Sequence, residues 1–379
     1  MTSIRELLTG FCWLWLAGCA GEPFRAIPEA DAGDPRVTLP VDHVAGPALS
    51  APPRPTERAF ARKGPSQLAE IDARTGRVLS TTVAGDVFRD LIRDGERLVA
   101  AISGDDLDST TVRALRVADG AIAPAGESDP LGAGGRLFAF PPFTLVLTED
   151  MAVTWSLLDG DLRLVPGSKA VARPASLLLS SEPSQLLALS PTGYDAGEYS
   201  DTLVVARFDA TWQLEFQSIP APGRPSSRLA GAPDRDEAYL VRKHASAYDF
   251  ELAEISRVTP TAPAGFWTVS IPGALGEIED VVVAADRDAL LVLLSRGAST
   301  GALALVPLRG GVTPQLVPLS APVESSPWFQ RALALLPSGR VLAATTFRVE
   351  AFDLIDGPAL VYVDGFDGEG LAAPLIAWE

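Results

Sequence analysis

Histidine and cysteine are scarce in this 379-residue chain. It contains two histidines, His43 and His244, and two cysteines, Cys12 and Cys19. A structural zinc site takes four cysteine or histidine ligands, and a catalytic zinc site usually takes three protein ligands that are rich in histidine. A structural zinc site would therefore need both cysteines and both histidines, and two histidines are too few for a typical catalytic zinc site. The two histidines also stand far apart in polar stretches, where we expect them to be solvated.

Basic residues are too few to balance the acidic ones. The 31 lysines and arginines face 48 aspartates and glutamates, which gives a formal net charge of −17. Such a charge repels phosphate groups, and the sequence shows no basic stripe with interleaved aromatic residues, so nucleic acid is not an expected partner. Long hydrophobic runs are missing as well. Beyond the N-terminal stretch, no apolar segment approaches the ~20 residues that a membrane-spanning helix needs.

A short apolar stretch near the N-terminus ends in Leu16, Ala17, Gly18 and Cys19. An apolar core of about 7–15 residues followed by small residues is typical of a secretory signal peptide. The motif resembles the lipobox of bacterial lipoproteins, which implies that residues 1–18 are removed and that the Cys19 sulfur receives a diacylglyceryl group. The absence of an aspartate after the cysteine favours the outer membrane of the cell envelope. The alternative is a chance motif before a buried strand.

Lipidation of Cys19 would make the membrane itself a partner of the protein. Each buried methylene adds ~0.8 kcal/mol, and two or more acyl chains give stable attachment. Removal of residues 1–18 would also leave Cys19 as the single cysteine, which excludes a disulfide within the chain. Stability must then come from apolar burial, for which a body of about 300 residues is long enough.

The segment that follows the cysteine is rich in proline and poor in apolar periodicity. Nine prolines lie between residues 20 and 65. Such a composition buries too little apolar surface to fold alone, and it favours extended conformations. We therefore expect a flexible tether over residues 19–65 and a folded domain over residues 66–379. The alternative is that residues 57–63 add an edge strand to that domain.

The folded domain has the pattern of an all-β protein. Short apolar runs alternate with glycine, proline, aspartate and serine, and no segment keeps a 3.6-residue periodicity. Units of a turn followed by a strand recur at intervals of 41 to 52 residues. They begin at Arg97, Thr144, Gln185, Glu237, Ala289 and Arg340. A second hairpin follows most of them, often at an Asp-Gly pair, because glycine supplies the positive φ of a tight turn. Two hairpins per period predict the four strands of a β-propeller blade.

The number of blades follows from the six repeated units together with the segments that lie before and after them. One hairpin over residues 68–83 precedes them, and one strand over residues 371–378 follows them. Pairing of these segments in a composite closing blade would remove two open sheet edges. The sequence therefore predicts a β-propeller of seven four-stranded blades, within a range of six to eight, with a pair of β-sandwiches as the alternative. Residues 67–80 resemble the strand–turn–strand of the surface-repeat and quinoprotein-like propeller families, which implies the same fold.

Serine-based chemistry finds no support in the sequence. Ser299 stands in a Gly-x-Ser-x-Gly match, but a strand-like run follows it and both histidines precede it. A nucleophile elbow requires a helix after the serine and a histidine later in the chain. We therefore interpret this match as a loop between strands, and the catalytic residues stay unknown.

Acidic clusters are the remaining candidate sites. Two of them could supply oxygen ligands to calcium, although neither has the 12-residue spacing of a helix–loop–helix site. One contains Asp105, Asp106 and Asp108, and the other contains Asp364 and Asp367. Solvated hairpin tips are the alternative for both. The sequence predicts no cofactor, with calcium as the alternative.

A further candidate combines two tyrosines with carboxylates. Tyr194, Asp195, Glu198 and Tyr199 lie in a polar stretch that we expect to be an insertion between strands. Their content suggests a recognition loop, and an exposed loop without a role is the alternative.

Function is open at this point because propellers host many unrelated activities. The favoured interpretation is a membrane-anchored binding or scaffolding module for an envelope protein or a glycan. The alternative is a propeller hydrolase or lactonase-like enzyme that uses carboxylates at the central channel.

Overall fold

The folded part of the chain consists almost entirely of β-strands. The computed structural model describes residues 57–83, 87–103, 108–118, 121–140, 142–149, 153–171, 176–179, 185–195, 198–208, 214–219, 228–232, 237–244, 250–258, 263–296, 300–308, 313–323, 331–346, 348–356, 359–366 and 370–378. In chain order the strands are β1 (Arg58–Lys63), β2 (Gln67–Asp72), β3 (Val78–Val83), β4 (Val87–Asp94), β5 (Arg97–Ser103), β6 (Thr110–Ala118), β7 (Ala121–Glu127), β8 (Arg136–Phe140), β9 (Phe143–Glu149), β10 (Val153–Leu158), β11 (Ala170–Val171), β12 (Ser176–Leu179), β13 (Gln185–Asp195), β14 (Glu198–Phe208), β15 (Leu214–Ile219), β16 (Arg228–Ala232), β17 (Glu237–Lys243), β18 (Leu252–Val258), β19 (Pro263–Ser270), β20 (Glu277–Ala284), β21 (Ala289–Arg296), β22 (Thr300–Pro307), β23 (Gln315–Pro318), β24 (Leu333–Leu335), β25 (Arg340–Ala344), β26 (Val349–Ile355), β27 (Ala359–Phe366) and β28 (Leu371–Trp378). A 3-10 helix over Ala285–Arg287 joins β20 to β21.

These strands form seven antiparallel sheets of four strands each. Blades 1 to 6 take four consecutive strands apiece, from β4–β7 in blade 1 to β24–β27 in blade 6. The first strand of every blade contacts the first strands of its two neighbours around a ring. The first strands therefore surround a central channel, and the protein is a seven-bladed β-propeller. Among the described residues, no helix is long and apolar enough to cross a membrane.

Blade 7 joins the two ends of the folded domain. It contains β28 as its inner strand and β1, β2 and β3 outside it. The composite closing blade is thus confirmed, but the expected start of the domain at residue 66 is wrong. The strand β1 (Arg58–Lys63) pairs with β28 on one side and with β2 on the other, so it is an interior strand and not an edge.

Side-chain contacts reinforce this closure. The rings of Phe60 and Trp378 meet edge to face at 5.5 Å between centroids. The Arg340 guanidinium of blade 6 donates to the backbone oxygen of Ala73 at 3.0 Å, and the Ser338 N–H donates to Glu57 Oε1 at 2.7 Å. These bonds connect the outer strands of blade 7 to the preceding blade.

Each sheet packs against both neighbouring blades, which explains why the second strand of a blade, such as β5, is a nearly continuous apolar run. In β5, Leu98 and Ala100 pack in a cluster with Phe60 of blade 7. The intervening residue Val99 packs with Leu137 of blade 2. Burial on both faces therefore replaces the strict alternation that a half-exposed strand would show.

All inner strands begin on the same side of the ring, which we call the top face. In an antiparallel four-stranded blade, the turn between the second and third strands returns to the side on which the first strand begins. The β5–β6, β13–β14 and β21–β22 connections therefore also lie on the top face.

Candidate active site

The inner strands enclose a cavity of about 350 Å³ in the central channel. This volume lies in the range of ~300–1,000 Å³ typical of small-molecule sites. Fifteen described residues line it, and they come from blades 2, 4, 5, 6 and 7. Three of the fifteen carry polar side chains, namely Arg228, Asp280 and Arg331. The cavity is thus an apolar pocket with a few convergent polar groups, which is the usual composition of a ligand site.

Asp280 is positioned by a β-bulge in the inner strand of blade 5. The register between β20 and β21 shifts between Ile278 and Asp280, and such a bulge re-aims a side chain. Asp280 Oδ2 accepts hydrogen bonds from the backbone N–H groups of Ala332 (2.7 Å) and Leu333 (2.8 Å) in blade 6. Asp280 Oδ1 accepts a bond from the N–H of Val281 at 2.8 Å. The residue is 8% exposed, so the cavity is its route to a ligand.

Burial dominates the electrostatics of this carboxyl group. It raises the pKa of Asp280 from 3.8 to about 7, because an ionised carboxylate loses its hydration in apolar surroundings. The three backbone N–H donors and the charge of Arg331 lower the pKa and only partly offset the burial. A carboxyl group with this pKa exchanges a proton near neutral pH, as a general base must.

Arg331 reaches from the start of blade 6 to blades 1 and 2. Its Nη1 forms an ion pair with Asp90, and its Nη2 donates to the backbone oxygen of Leu137 at 2.7 Å. Its guanidinium also lies over the Phe138 ring, 5.7 Å from the centroid. These contacts hold the guanidinium in one orientation across the upper end of the channel.

Asp90 repeats the arrangement of Asp280 in blade 1. The β4–β5 register shifts between Phe88 and Asp90. Asp90 Oδ2 accepts a bond from the N–H of Leu137 in blade 2 at 2.8 Å. The two bulged aspartates thus connect their inner strands to the next blade. They differ in that Asp280 lines the cavity, whereas Asp90 anchors Arg331.

Arg228 supplies the second cation of the cavity. It is the first residue of β16, and its Nε donates to the backbone oxygen of Glu279 at 3.2 Å. This bond places Arg228 beside the bulge that presents Asp280. The cavity therefore combines one carboxyl group of raised pKa with two guanidinium groups.

A larger groove of about 750 Å³ lies on the opposite face, between blades 1 and 2. Two of its arginines contact neighbouring side chains. Arg97 pairs with Asp94 at 2.7 Å, and the Arg93 guanidinium lies over the Trp378 ring at 5.0 Å.

The candidate sites from the sequence lie elsewhere. Several fall outside the described residues: Leu16, Ala17, Gly18, Cys19, Asp105, Asp106, Ser299 and Asp367. Asp364 is exposed, and its Oδ1 accepts a bond from the Gly365 N–H at 2.8 Å. Asp108 lies just before β6 and is also exposed. Within the described ranges, no group of three or more histidine, cysteine, aspartate or glutamate side chains is arranged to hold a metal ion.

The tyrosine-rich stretch is not an insertion loop. Tyr194 pairs with Tyr199, and Asp195 pairs with Glu198, at the end of the β13–β14 hairpin. A register shift between Pro191 and Gly193 precedes these pairs. The stretch therefore belongs to the two strands of this hairpin, because their pairing continues to residues 195 and 198.

His244 is the one histidine within the described ranges. It follows β17, the second strand of blade 4, and its Nε2 lies 3.4 Å from Glu254 Oε1. Glu254 also accepts a bond from Arg242 at 2.6 Å. His244 therefore belongs to a polar cluster on blade 4 and does not line the channel cavity.

Comparison with known proteins supports the fold. No protein-family model matches the chain, and no curated protein matches its sequence. Among solved structures, a protein of unknown function from Desulfotomaculum acetoxidans has a TM-score of 0.62 and 12% identity, covering 84% of this chain and 98% of that one. A periplasmic gluconolactonase from Pseudomonas aeruginosa has a TM-score of 0.57 and 14% identity, covering 85% and 99%. A protein from Bacteroides uniformis provisionally assigned as a 6-phosphogluconolactonase has a TM-score of 0.58 and 13% identity, covering 85% and 99%.

These neighbours correct the favoured interpretation from the sequence. Two of these three structures carry the name of a lactonase, and Arg228, Asp280 and Arg331 of this chain converge inside the channel. The expectation of a protein- or glycan-binding scaffold is therefore wrong. The enzyme alternative fits the findings better.

Proposed function

We propose that the protein is a lactone hydrolase whose active site is the channel cavity around Asp280. The observation that carries the proposal is a buried carboxyl group with a pKa of about 7 that shares an apolar cavity with two arginines. Hydrolysis of a cyclic ester needs a base to activate water and a positive group to stabilise the oxyanion. The cavity contains both.

The reaction follows from these groups. The Asp280 carboxylate takes a proton from a water molecule, and the water oxygen bonds to the lactone carbonyl carbon. The carbonyl oxygen becomes an oxyanion, which the fixed guanidinium of Arg331 stabilises. The ring C–O bond then breaks, and the ring oxygen receives the proton that Asp280 holds. As this bond breaks, the oxyanion returns to a carbonyl, and the product is a hydroxy acid. Its carboxyl group releases the second proton of the water to solvent, and Arg228 neutralises the resulting carboxylate.

Arg331→Gln tests the oxyanion role. We expect kcat for lactone hydrolysis to fall about 10²–10³-fold with a small change in KM, because the charge acts mainly on the transition state. Asp90→Asn should reduce kcat by roughly tenfold, since the guanidinium loses its ionic anchor and shifts position. Steady-state kinetics with δ-valerolactone, followed by proton release, measures both. Unchanged kcat in Arg331→Gln would show that the arginine stabilises no oxyanion.

We also propose that Cys19 is lipidated and anchors the enzyme to the cell envelope, with the outer membrane as its location. The proposal rests on the motif that ends in Cys19 and on the energy of burying two or more acyl chains. Residues 19 onward would then connect the propeller to the membrane.

Cys19→Ser tests this anchor in cells. We expect the variant to lose incorporation of labelled palmitate and to keep residues 1–18, because the thiol is the acceptor. Cys12→Ser provides the matched control and should be labelled like the parent protein. Labelling of Cys19→Ser at the parent level would refute the anchor.

A further inference from the structure

The cavity is polar at one end and apolar along the rest of its length. Arg228 is the first residue of its inner strand, and Arg331 precedes the first residue of β24. Both therefore lie at the top end of the channel. Val282 and Leu335 lie two residues further along their strands than Asp280 and Leu333. The lining is thus sorted by depth, with charge above and aliphatic groups below.

The deeper lining offers few partners to hydroxyl groups. Twelve of the fifteen lining residues are glycine or have side chains without polar atoms. A sugar lactone carries several ring hydroxyls, and a buried hydroxyl without a partner is costly. An alkyl group, in contrast, gains from leaving water for such a surface.

We infer that the substrate is a lactone with an aliphatic substituent, bound with its ring at Asp280 and Arg331 and its chain beside Val282 and Leu335. The inference rests on the proposed function, because it assigns the substrate class of the same cavity. It differs from the sugar-acid lactones in the names of the structural neighbours. The difference follows from this chain's own lining residues.

A series of δ-lactones with alkyl substituents from methyl to hexyl tests the inference against glucono-δ-lactone. We expect kcat/KM to rise about fourfold per added methylene, which corresponds to ~0.8 kcal/mol for each, until the cavity is full. Glucono-δ-lactone should be hydrolysed more slowly than the longer alkyl lactones. The backbone edges of the inner strands also face the channel. The rate of hydrolysis of glucono-δ-lactone shows whether these backbone groups can bind the sugar hydroxyls.

Variants of the deep lining make the test specific. Val282→Thr combined with Leu335→Thr should reduce the gain per methylene from about fourfold to about twofold, because each change adds a hydroxyl to the wall. Val363→Thr is the matched control, since Val363 is a half-buried valine on the outer strand β27, outside the cavity lining. It should leave the chain-length dependence unchanged.

The possible failures can be separated. A preference for glucono-δ-lactone with no dependence on chain length would overturn the inference and leave the proposed hydrolase intact. If no lactone is hydrolysed faster than in buffer, the proposed function fails. Calorimetry with the corresponding alkyl lactams, which resist hydrolysis, then decides the ligand class. Affinity that rises with chain length supports an aliphatic ligand, and affinity without that trend, or no binding, overturns it.

Discussion

Asp280→Asn should lower kcat/KM for lactone hydrolysis by about 10²–10⁴-fold, the usual contribution of a general base. The amide cannot take a proton from water, while its size and shape match the carboxyl group. Glu70→Gln is the matched control. Glu70 is also buried and accepts bonds from Arg58 and Ser80, but it lies on β2, outside the cavity lining. The control variant should keep its activity. Equal losses of kcat/KM in the two variants would show that Asp280 does not act as the base.

The wild-type protein offers a version of this test that needs no substitution. Because the pKa of Asp280 is raised to about 7, the base is protonated and inactive below that pH and ionised above it. We expect kcat/KM to rise tenfold per pH unit below about 7 and to level off above it. A rate that stays constant from pH 5 to pH 8 would contradict the assignment.

The same pKa predicts how stability depends on pH. The carboxyl group titrates near 3.8 in the unfolded chain and near 7 in the folded protein. Between these values the folded protein holds the additional proton, so this group makes the free energy of unfolding fall as pH rises from about 4 to about 7. The contribution then levels off. Urea unfolding at several pH values should show this decline in the wild type and a weaker one in Asp280→Asn.

Loss of the closing strand should have the largest effect on stability. Leu371 and Leu375 of β28 are fully buried between blades 6 and 7. We expect the double variant Leu371→Ala, Leu375→Ala to lose about 4–10 kcal/mol of unfolding free energy, at ~2–5 kcal/mol for each buried leucine. Deletion of residues 371–379 should abolish cooperative unfolding, because it opens the ring. Urea titration followed by circular dichroism measures both.

The chain offers a matched control for the double variant. Leu79 and Leu164 are 45% and 46% exposed. Changing both to alanine removes the same atoms and should cost less than about 0.5 kcal/mol per site. Equal losses in the two double variants would mean that β28 does not close the ring.

The composite closure could be predicted because its parts are visible in the sequence. The apolar strand Leu371–Trp378 has no partner in the six repeated units, and neither does the hairpin of residues 68–83. From the sequence, the strand Arg58–Lys63 is only an alternative, and only as an edge strand, because it follows a proline-rich stretch and carries three basic residues. In the structure, Ala59, Phe60 and Ala61 are buried, and the basic residues occupy the two ends of the strand.

The candidate site could be predicted only in part. Carboxylates at a central channel are part of the enzyme alternative from the sequence, but Asp280 is not among the candidate residues. The sequence does contain a signal for these aspartates. In both Phe88-Arg89-Asp90-Leu91-Ile92 and Ile278-Glu279-Asp280-Val281-Val282, a charged residue and an aspartate interrupt a run of apolar residues. Both aspartates lie at bulges of inner strands.

The role of Arg331 could not have been found from local pattern. Its partners Asp90 and Leu137 are 241 and 194 residues away in sequence. They meet it because the ring brings blades 1 and 2 across the channel from blade 6. Only the closed propeller brings this guanidinium into contact with Asp90 and Leu137.

The titration of Asp280 is the most direct test of the account. Carbon-13 NMR of the aspartate carboxyl groups, with Asp280→Asn to assign the resonance, gives the pKa of this group in the folded protein. We expect a midpoint of about 7 that coincides with the midpoint of the pH–rate profile for an alkyl lactone. A midpoint near 4, or a rate profile with a different midpoint, would contradict it.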